Sequence, residues 1–344
     1  MIVTIKRILG RYLQRSHRFP WVRLRGGRNL IVRMDTTNRC NLRCSMCSMR
    51  LADLDPQRKW HDIDPVLFNR IADEVFPQAS VVGLSCGAEL LVNPDFRIYL
   101  ERLYRADVPV RDVVTNGILL SSENISIILD APPTSLFVSI DGATASTHAE
   151  IRGGADLNLI TENMKALVSQ RDRRGMKFPM LSFSVTLQRK NFMELPDIVR
   201  LAHSVGAVSV GAVPLVPYEG LDLTGETIDP ASPAVSEQIR LASNAAADLG
   251  LIFNPPSIPD TDGEASCPYL KNWVYIDPDG RINPCPHWDT AEPLGNLNSQ
   301  SFNEIWEGPA YQELRSRIRE GVFTGNCAVC PEISGRFSNE ISKI

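Results

Sequence analysis

Three cysteines lie within eight residues in the stretch Cys40-Asn-Leu-Arg-Cys44-Ser-Met-Cys47, which follows the apolar run at residues 30–35. Three thiolates this close together can ligate three irons of a cubane 4Fe–4S cluster and leave the fourth iron without a protein ligand. An open metal position is typical of a site that does chemistry. A structural zinc knuckle or simple buried thiols are the alternatives, but a lone triplet lacks the second ligand pair that a zinc knuckle needs.

The pattern Cys-x3-Cys-x2-Cys after a first strand resembles the radical S-adenosylmethionine (SAM) superfamily. In that family the open iron binds the amino and carboxylate groups of SAM. The reduced cluster cleaves SAM to a 5′-deoxyadenosyl radical, which abstracts a hydrogen atom from the substrate. The resemblance implies a catalytic 4Fe–4S cluster on Cys40, Cys44 and Cys47. The residue before the last cysteine is usually aromatic; here it is Met46, an apolar and adaptable side chain that the resemblance places against SAM.

The composition is that of an ordinary globular protein. The chain has 344 residues, which is enough for one barrel-like domain and a smaller one. Of these residues 43% are hydrophobic and 22% are charged. Eight cysteines without a signal peptide favour a reducing, cytoplasmic compartment and metal or redox use rather than disulfides. No apolar run approaches the length of a membrane span. No nucleic-acid partner is expected.

The first 34 residues carry nine Lys and Arg and no acidic residue. Because the whole chain carries a formal −4, residues 35–344 carry −13. Apolar residues at helical spacing predict a short basic amphipathic helix over residues 2–15, within an N-terminal segment at 1–29. This helix either caps one end of the barrel with a solvated basic face or makes peripheral contact with a membrane or another anionic partner.

Strands and helices alternate through residues 30–233, which predicts a radical SAM partial barrel. Strands are predicted at residues 30–35, 80–85, 111–115, 136–140, 180–187 and 207–213, and helices near 94–105, after Ser121, and at 157–171 and 193–204. Near-continuous apolar strands separated by helices indicate a parallel sheet that is buried on both faces. Six β/α steps are too few for a closed eight-stranded barrel. An open (β/α)6 TIM-like barrel therefore fits, and the resemblance implies the same α/β fold. Residues 214–233 are rich in Pro and Gly and predict a long active-site loop or linker.

Residues 234–344 are predicted to form a linker helix near 234–249, a hairpin of residues 273–276 and 281–285, and an amphipathic helix over 302–319. Four more cysteines lie here: Cys267, Cys285, Cys327 and Cys330. The hairpin would bring Cys267 and Cys285 to one end. Four thiolates complete either a tetrahedral zinc site or a fully ligated 4Fe–4S cluster, and the spacing leaves both open.

The pattern Cys-x12-Gly-x4-Cys followed by Cys-x2-Cys resembles the SPASM/Twitch extension of radical SAM enzymes. In that extension the cysteines bind auxiliary 4Fe–4S clusters. A full SPASM domain has further cysteines, where this chain has Arg336 and Glu340. The resemblance therefore implies the shortened Twitch form with one auxiliary cluster, and the pattern is most similar to aminocyclitol-oxidising enzymes of the 2-deoxy-scyllo-inosamine dehydrogenase kind.

The resemblance also implies the residues that contact SAM. In the family a Gly-Gly-Glu-Pro-like motif after the second strand binds the SAM amino group; here Cys86-Gly87-Ala88-Glu89 stands in that place, and a carboxylate facing an ammonium is chemically sensible. Polar positions near SAM correspond to Thr115, Asn116, Ser139 and Asp141, and an arginine that can meet the SAM carboxylate corresponds to Arg152. The alternative for Asn116 and Asp141 is local, because each precedes a glycine in a good turn dipeptide.

Cys86 stands apart from both cysteine sets. It is either a small buried residue beside a cluster or a hydrogen-atom donor that quenches a substrate radical, which would make the enzyme an epimerase. His287 follows Cys285-Pro286 and either shields the auxiliary cluster, meets the substrate, or is a plain packed histidine.

The sequence predicts a radical SAM oxidoreductase that dehydrogenates a small-molecule or carbohydrate substrate, with the auxiliary cluster taking the second electron. Only about thirty residues precede the first strand, too few for a leader-binding winged domain, which favours a small substrate over a peptide. The alternatives are a maturase that oxidises, crosslinks or epimerises a ribosomal peptide, a sugar epimerase that uses Cys86, and a zinc-stabilised binding protein without catalysis. An external reductant such as flavodoxin or ferredoxin is the expected partner.

Overall fold

A computed structural model describes residues 28–333 except 54, 56, 219, 224, 257–266, 289–291, 329, 331 and 332. The predicted basic helix at residues 2–15 lies outside the described residues, as do Arg336 and Glu340. All eight cysteines lie within them.

A ten-stranded mixed sheet forms the centre of the described chain. Its strands are β1 Leu30–Met34, β2 Ala79–Leu84, β3 Val110–Thr115, β4 Ser135–Ser139, β5 Met180–Leu187, β6 Ser209–Pro214, β7 Ile252–Asn254, β8 Trp273–Ile276, β9 Arg281–Asn283 and β10 Gly295–Asn296. The spatial order is β10-β9-β8-β1-β2-β3-β4-β5-β6-β7. Strands β1 to β6 are parallel neighbours in chain order, which confirms the predicted partial barrel.

Helices cover the outer face of the sheet. They are α1 Met49–Asp53, α2 Pro65–Glu74, α3 Phe96–Arg105, α4 Ser122–Asp130, α5 Ala145–Ile151, α6 Leu157–Arg173, α7 Leu195–Ser204, α8 Pro233–Leu249, α9 Tyr269–Asn272, α10 Phe302–Trp306 and α11 Pro309–Arg319. In α6 the residues at helical spacing, Leu157, Ile160, Met164 and Leu167, are buried as predicted. The Ser121 side chain accepts a hydrogen bond from the Asn124 amide and so caps the start of α4.

The predicted hairpin is present, and it extends the barrel sheet. Strand β8 pairs in parallel with β1, in a register that sets Trp273 against Ile31, while β9 returns antiparallel to β8. Gly280 has φ +74° in the turn, and the Asp277 carboxylate accepts hydrogen bonds from the amides of Asp279 and Arg281. The division of the chain at residue 233 stays a prediction.

The prediction of one helix over residues 302–319 is wrong. The segment forms α10 and α11, which are separated at Gly308-Pro309. Pro309 lacks the amide hydrogen needed to continue α10, but it suits the first turn of α11. A Cβ at Gly308 would lie 2.5 Å from the Glu304 carbonyl oxygen, so the close turn requires glycine. Helix α10 begins with a capping box between Ser301 and Glu304.

No helix among the described residues is long and apolar enough to cross a bilayer. The main core lies between the sheet and its helices, and a smaller apolar cluster of Ile31, Val81, Tyr269 and Trp273 lies near the starts of β1, β2 and β8. Chemistry-bearing side chains are therefore left to the loops that follow the strands.

Candidate active site

The predicted site residues gather where the parallel strands end. The cysteine loop follows β1, and the segment Cys86–Glu89 follows β2. Thr115 and Ser139 are the last residues of β3 and β4, and Asn116 and Asp141 lie just beyond them. In a parallel sheet these carboxyl ends share one edge, so the topology brings together segments far apart in sequence. Ser139 is buried and paired in register with Ser184.

The cysteine loop is fixed by packing and by its own hydrogen bonds. Cys44 and Met46 are buried in a cluster with Ile151 and residues of the loop after β6. The Ser45 amide donates to the Ile151 carbonyl at 2.8 Å. A Cβ at Gly153 would lie 2.6 Å from the Arg43 carbonyl oxygen, so only glycine permits this approach. The loop is held in place by the segment that follows α5.

The three thiols are placed to bind a cationic group. The amides of Leu42 and Met49 donate to the Sγ atoms of Cys40 and Cys47, both at 3.4 Å. Burial raises the pKa of Cys40 to about 11 and also raises the pKa values of Cys44 and Cys47. Buried thiols of this kind lose their protons when a cationic metal group binds. The donor set therefore fits an iron–sulfur cluster.

Among the described residues, no three His, Cys, Asp or Glu side chains converge closely enough to hold a single metal ion. A cubane cluster presents separate irons to separate thiolates, so its ligands need not converge on one point. The wider arrangement is compatible with the cluster ligation that the spacing predicts.

Glu89 is a buried carboxylate in a cradle of hydrogen-bond donors. The Thr115 hydroxyl and the Leu91 amide donate to Oε1 at 2.9 and 3.2 Å, and the Asn116 amide donates to Oε2 at 2.7 Å. Burial raises the pKa of Glu89 to about 6, and these hydrogen bonds oppose that rise. A carboxylate has about four acceptor positions, so room remains for a further donor such as an ammonium group.

Asn116 connects the Glu89 cradle to the cysteine loop. Its amide nitrogen Nδ2 donates to Asn41 Oδ1 at 2.8 Å and lies 3.9 Å from Cys40 Sγ. Gly87, the exposed residue of the same motif, donates its amide to Asp35 Oδ2 at 2.9 Å. Glu89 and Asn116 are therefore brought next to Cys40, while Gly87 is anchored to the residue that follows β1.

Arg152 and Asp141 form a buried ion pair beside the cysteines. Arg152 Nε donates to Asp141 Oδ2, while Asp141 Oδ1 accepts from the Thr186 amide at 2.7 Å. The Arg152 guanidinium is close enough to Cys44 and Cys47 to lower their pKa values against the effect of burial. Asp141 therefore orients Arg152 toward the cysteine loop, an arrangement that the turn dipeptide alone does not reveal.

Cys86 lies in a loop anchored by Asp35. The Cys86 amide donates to Asp35 Oδ1 at 2.6 Å, and the Tyr275 hydroxyl donates to Oδ2 at 2.6 Å. The preceding residue, Ser85, has φ +71°, an uncommon conformation for a residue with a side chain. Burial, together with the carboxylates of Asp35 and Asp112, raises the pKa of Cys86 to about 12. The Cys86 side chain is therefore a neutral thiol at pH 7.

The second cysteine set also comes together. Burial, together with Cys330 and Cys327, raises the pKa of Cys267 to about 12. Burial and the other three thiols raise the pKa of Cys285 well above its usual value. Cys267 and Cys285 pack against the apolar cluster that contains Ile31. Strand β8 begins, and β9 ends, at the edge of the sheet where β1 begins. Cys267 and Cys285 therefore lie at the opposite edge of the sheet from the cysteine loop, which follows the end of β1.

Tyr218 is a site residue that the sequence did not single out. Its hydroxyl lies 3.0 Å from His287 Nδ1, and the two ring centroids are 5.9 Å apart. Burial raises the pKa of Tyr218, and the thiols of Cys47, Cys86 and Cys285 raise it further. Tyr218 is thus within electrostatic reach of both cysteine sets. The available signal was its position in the Pro- and Gly-rich loop.

Two family models match the chain. The radical SAM superfamily model matches residues 34–202, and the SPASM model, an iron-sulfur cluster-binding domain, matches residues 267–331. The first match contains the cysteine loop, and the second contains all four distal cysteines.

Several curated proteins are similar over most of their length. A tungsten-containing aldehyde ferredoxin oxidoreductase cofactor-modifying protein from Pyrococcus furiosus is 24% identical over 86% of this chain and 86% of its own. An AdoMet-dependent heme synthase from Methanosarcina barkeri is 25% identical over 87% and 88%, and a PqqA peptide cyclase from Rhodopseudomonas palustris is 26% identical over 88% and 79%.

Solved structures share the fold. The structure of SuiB from Streptococcus suis bound to the precursor peptide SuiA has a TM-score of 0.68 and 14% identity, and the match covers 88% of this chain and 71% of that one. At this identity the likeness establishes the architecture of the sheet and helices.

Proposed function

Because the chain contains a radical SAM domain and an SPASM iron–sulfur domain, we propose that it is a radical SAM maturase that modifies a peptide substrate. These domains imply a catalytic 4Fe–4S cluster, an auxiliary iron–sulfur cluster and SAM. When bound, these groups supply a 5′-deoxyadenosyl radical for hydrogen abstraction and an acceptor for a second electron. The protein supplies binding, orientation and seclusion from water.

In this proposal each group has its own residues. Cys40, Cys44 and Cys47 hold the catalytic cluster, and Cys267, Cys285, Cys327 and Cys330 hold the auxiliary one. Glu89 accepts a hydrogen bond from the SAM ammonium, since its carboxylate is buried and already aligned by Thr115 and Asn116. Arg152, oriented by Asp141, binds the SAM carboxylate. Met46, Gly87 and Ser139 complete the SAM contacts in this proposal.

One observation supports a two-electron oxidation most directly: Tyr218 lies within electrostatic reach of Cys47 and Cys285, one from each cysteine set. A substrate in contact with Tyr218 would face both redox groups. It could lose a hydrogen atom on one side and an electron on the other. The paired His287 ring holds the Tyr218 hydroxyl in place.

A peptide substrate has more support than the carbohydrate or aminocyclitol substrate predicted from the sequence. The relatives are named for modifying a cofactor, making heme and cyclising a peptide, and none of the three is named for a carbohydrate. A further relative, AlbA of Bacillus subtilis, is named for biosynthesis of the bacteriocin subtilosin. The oxidoreductase class and the cytoplasmic location also stay predictions.

Epimerisation is the second candidate, and the position of Cys86 within electrostatic reach of Tyr218 favours it. A hydrogen-atom donor must carry its S–H hydrogen, and a pKa of about 12 keeps the Cys86 thiol protonated at pH 7. The Cys86 thiol is half-buried and lies near Tyr218, so it would border a substrate that contacts Tyr218. If Cys86→Ala leaves SAM cleavage intact but abolishes a stereo-inverted product, epimerisation is supported; unchanged turnover excludes it.

The test is anaerobic turnover of the reconstituted protein with dithionite and SAM, with 5′-deoxyadenosine measured by mass spectrometry. Two probe substrates are compared: a peptide encoded by a short neighbouring reading frame, and 2-deoxy-scyllo-inosamine. Loss of two hydrogen masses from the peptide alone supports a maturase. The same loss from the aminocyclitol alone supports the carbohydrate assignment, and absence of 5′-deoxyadenosine contradicts any radical SAM activity.

Tyr218→Phe sharpens this test. Removing the hydroxyl deletes the hydrogen bond to His287 but keeps the ring, so 5′-deoxyadenosine should still form while oxidised product per SAM cleaved falls about tenfold. Tyr104→Phe is the matched control, because Tyr104 is exposed on α3. An unchanged ratio in Tyr218→Phe would remove Tyr218 from the site.

A further inference from the structure

The outer face of the cysteine loop is basic, whereas the part of the chain that follows it is acidic. Residues 39–62 carry five Lys and Arg against three Asp, whereas residues 63–344 carry a net −14. We call the group formed by the exposed Arg43, Arg50, Lys59 and Trp60 and the half-buried Arg58 the loop face. A charge of the opposite sign to that of residues 63–344 orients an approaching acidic partner toward this face and away from the acidic surface.

The loop face is built directly on the backbone that carries the iron-binding thiols. Arg43 lies between Cys40 and Cys44, and its Nη1 donates to the carbonyls of Cys40 and Leu42 at 2.8 and 2.9 Å. Arg50 Nη1 donates to the Ser45 carbonyl at 3.2 Å. A protein that contacts these guanidinium groups is separated from the thiols only by the loop itself.

Trp60 gives the loop face a rigid apolar centre. The indole is 40% exposed although it is a large apolar side chain. The guanidinium carbons of Arg43 and Arg58 lie 5.5 and 4.9 Å from its ring, so cation–π contacts hold it in place. Trp and Arg are the residue types enriched at the energetic hot spots of protein interfaces, and here an exposed tryptophan contacts two arginines.

Other contacts keep the face from moving relative to the loop. Asn38 Nδ2 donates to the Lys59 carbonyl at 2.9 Å, and Arg43 pairs with Asp53. The half-open cavity beside the face has a volume of about 470 Å³ and is lined by Arg43, Arg50, Asp53 and residues 220–222. The face is therefore preformed, which lowers the entropy cost of docking.

We propose that the loop face is the docking site of the electron donor, a small acidic one-electron carrier protein of the flavodoxin type. The inference rests on the proposed function, since only a cluster on Cys40, Cys44 and Cys47 needs this electron. One electron leaves the reduced carrier and reduces the cluster. Acidic side chains around the carrier's cofactor meet Arg50, Arg58 and Lys59, and an apolar contact covers Trp60.

The test compares two electron sources in the reconstituted holoprotein. In Arg50→Glu/Lys59→Glu, kcat/KM for reduced flavodoxin in 5′-deoxyadenosine formation should fall at least about tenfold, while the rate with dithionite stays within about twofold of wild type. Arg240→Glu, an exposed reversal on α8, should change neither rate. Lys59→Glu/Trp60→Ala is a second variant, used if the first loses iron.

A binding measurement gives a readout independent of turnover. The Kd of oxidised flavodoxin for the immobilised holoprotein should rise about tenfold in the charge-reversal variant, and for wild type it should rise with added salt. Equal losses with flavodoxin and dithionite would assign the face to substrate binding, for example of an acidic peptide, and would overturn the proposal. Unchanged flavodoxin kinetics would also overturn it. If wild type makes no 5′-deoxyadenosine with dithionite, the proposed function fails instead.

Discussion

At the scale of single residues, Glu89 shows how burial prepares a charge for a partner. The carboxylate is 2% exposed and receives three hydrogen bonds, yet burial still raises its pKa to about 6. Ionisation of the Glu89 carboxyl group is therefore unfavourable unless a cation binds beside it. An ammonium group at the remaining acceptor position would restore the ordinary preference for the carboxylate form.

The pKa of Glu89 predicts how SAM binding depends on pH. Since SAM binding requires the carboxylate, the Kd for SAM should fall about tenfold between about pH 5 and about pH 7, measured by calorimetry on the reconstituted protein. Glu89→Gln should bind weakly at both pH values, and Glu123→Gln, an exposed change on α4, should behave like wild type. The folding stability of the SAM-free protein should change in the opposite direction. Because the pKa of Glu89 is raised in the folded protein, its contribution to stability is lost as the pH rises from about 4.5 through about 6. A pH-independent Kd would contradict the role of Glu89.

At the scale of elements, the sequence predicts what local pattern determines. The six apolar runs with helices between them predict β1 to β6, and Asp277-Pro-Asp-Gly280 predicts the turn of the hairpin. The pairing of β8 with β1 was not predicted, because edge neighbours in a sheet are chosen by tertiary packing, here Trp273 against Ile31. The same holds for site contacts: Glu89 and the cysteines are visible as motifs, whereas Tyr218 and His287, which are 69 residues apart, carry no joint pattern.

Strands β1, β2 and β3 are joined across their centres by an ion pair that requires a glycine. Arg33 and Asp112 face each other over Gly83 on the strand between them, and the pair is largely buried. A Cβ at Gly83 would overlap both side chains. The Arg33 guanidinium also lies 5.4 Å from the Trp273 ring, so the pair extends to β8.

Gly83→Ala should therefore destabilise the protein by about 3–5 kcal/mol, because separating a buried ion pair leaves uncompensated charges. Gly211→Ala on β6 is the matched control, since a Cβ there meets only the Phe183 carbonyl oxygen at 3.9 Å. Urea unfolding followed by circular dichroism measures both. Equal unfolding midpoints for the two variants would show that the ion pair tolerates separation.

At the scale of the whole molecule, the order of strands explains where the two distant cysteine sets lie. The loop that follows β1 carries Cys40 to Cys47 at the carboxyl edge. Because β8 lies beside β1 in parallel, the chain must enter β8 from the opposite edge, and β9 returns there. Cys267 and Cys285 are thereby fixed at that edge. Asp35 and Cys86 lie at the carboxyl edge and Tyr275 lies within β8, so a substrate beside these residues would lie between the two cysteine sets.

This arrangement predicts the metal content and its division. The reconstituted protein should contain about eight iron atoms per chain, four on each cysteine set. In Cys285→Ala/Cys330→Ala the iron should fall to about four, and SAM cleavage should persist without oxidised product, because contacts with Ile151 and Arg152 hold the cysteine loop in place. Cys86→Ala should keep about eight iron atoms. Bound zinc at the distal set, found by plasma mass spectrometry of the protein as purified anaerobically, would contradict an auxiliary cluster and return these four thiolates to a structural role.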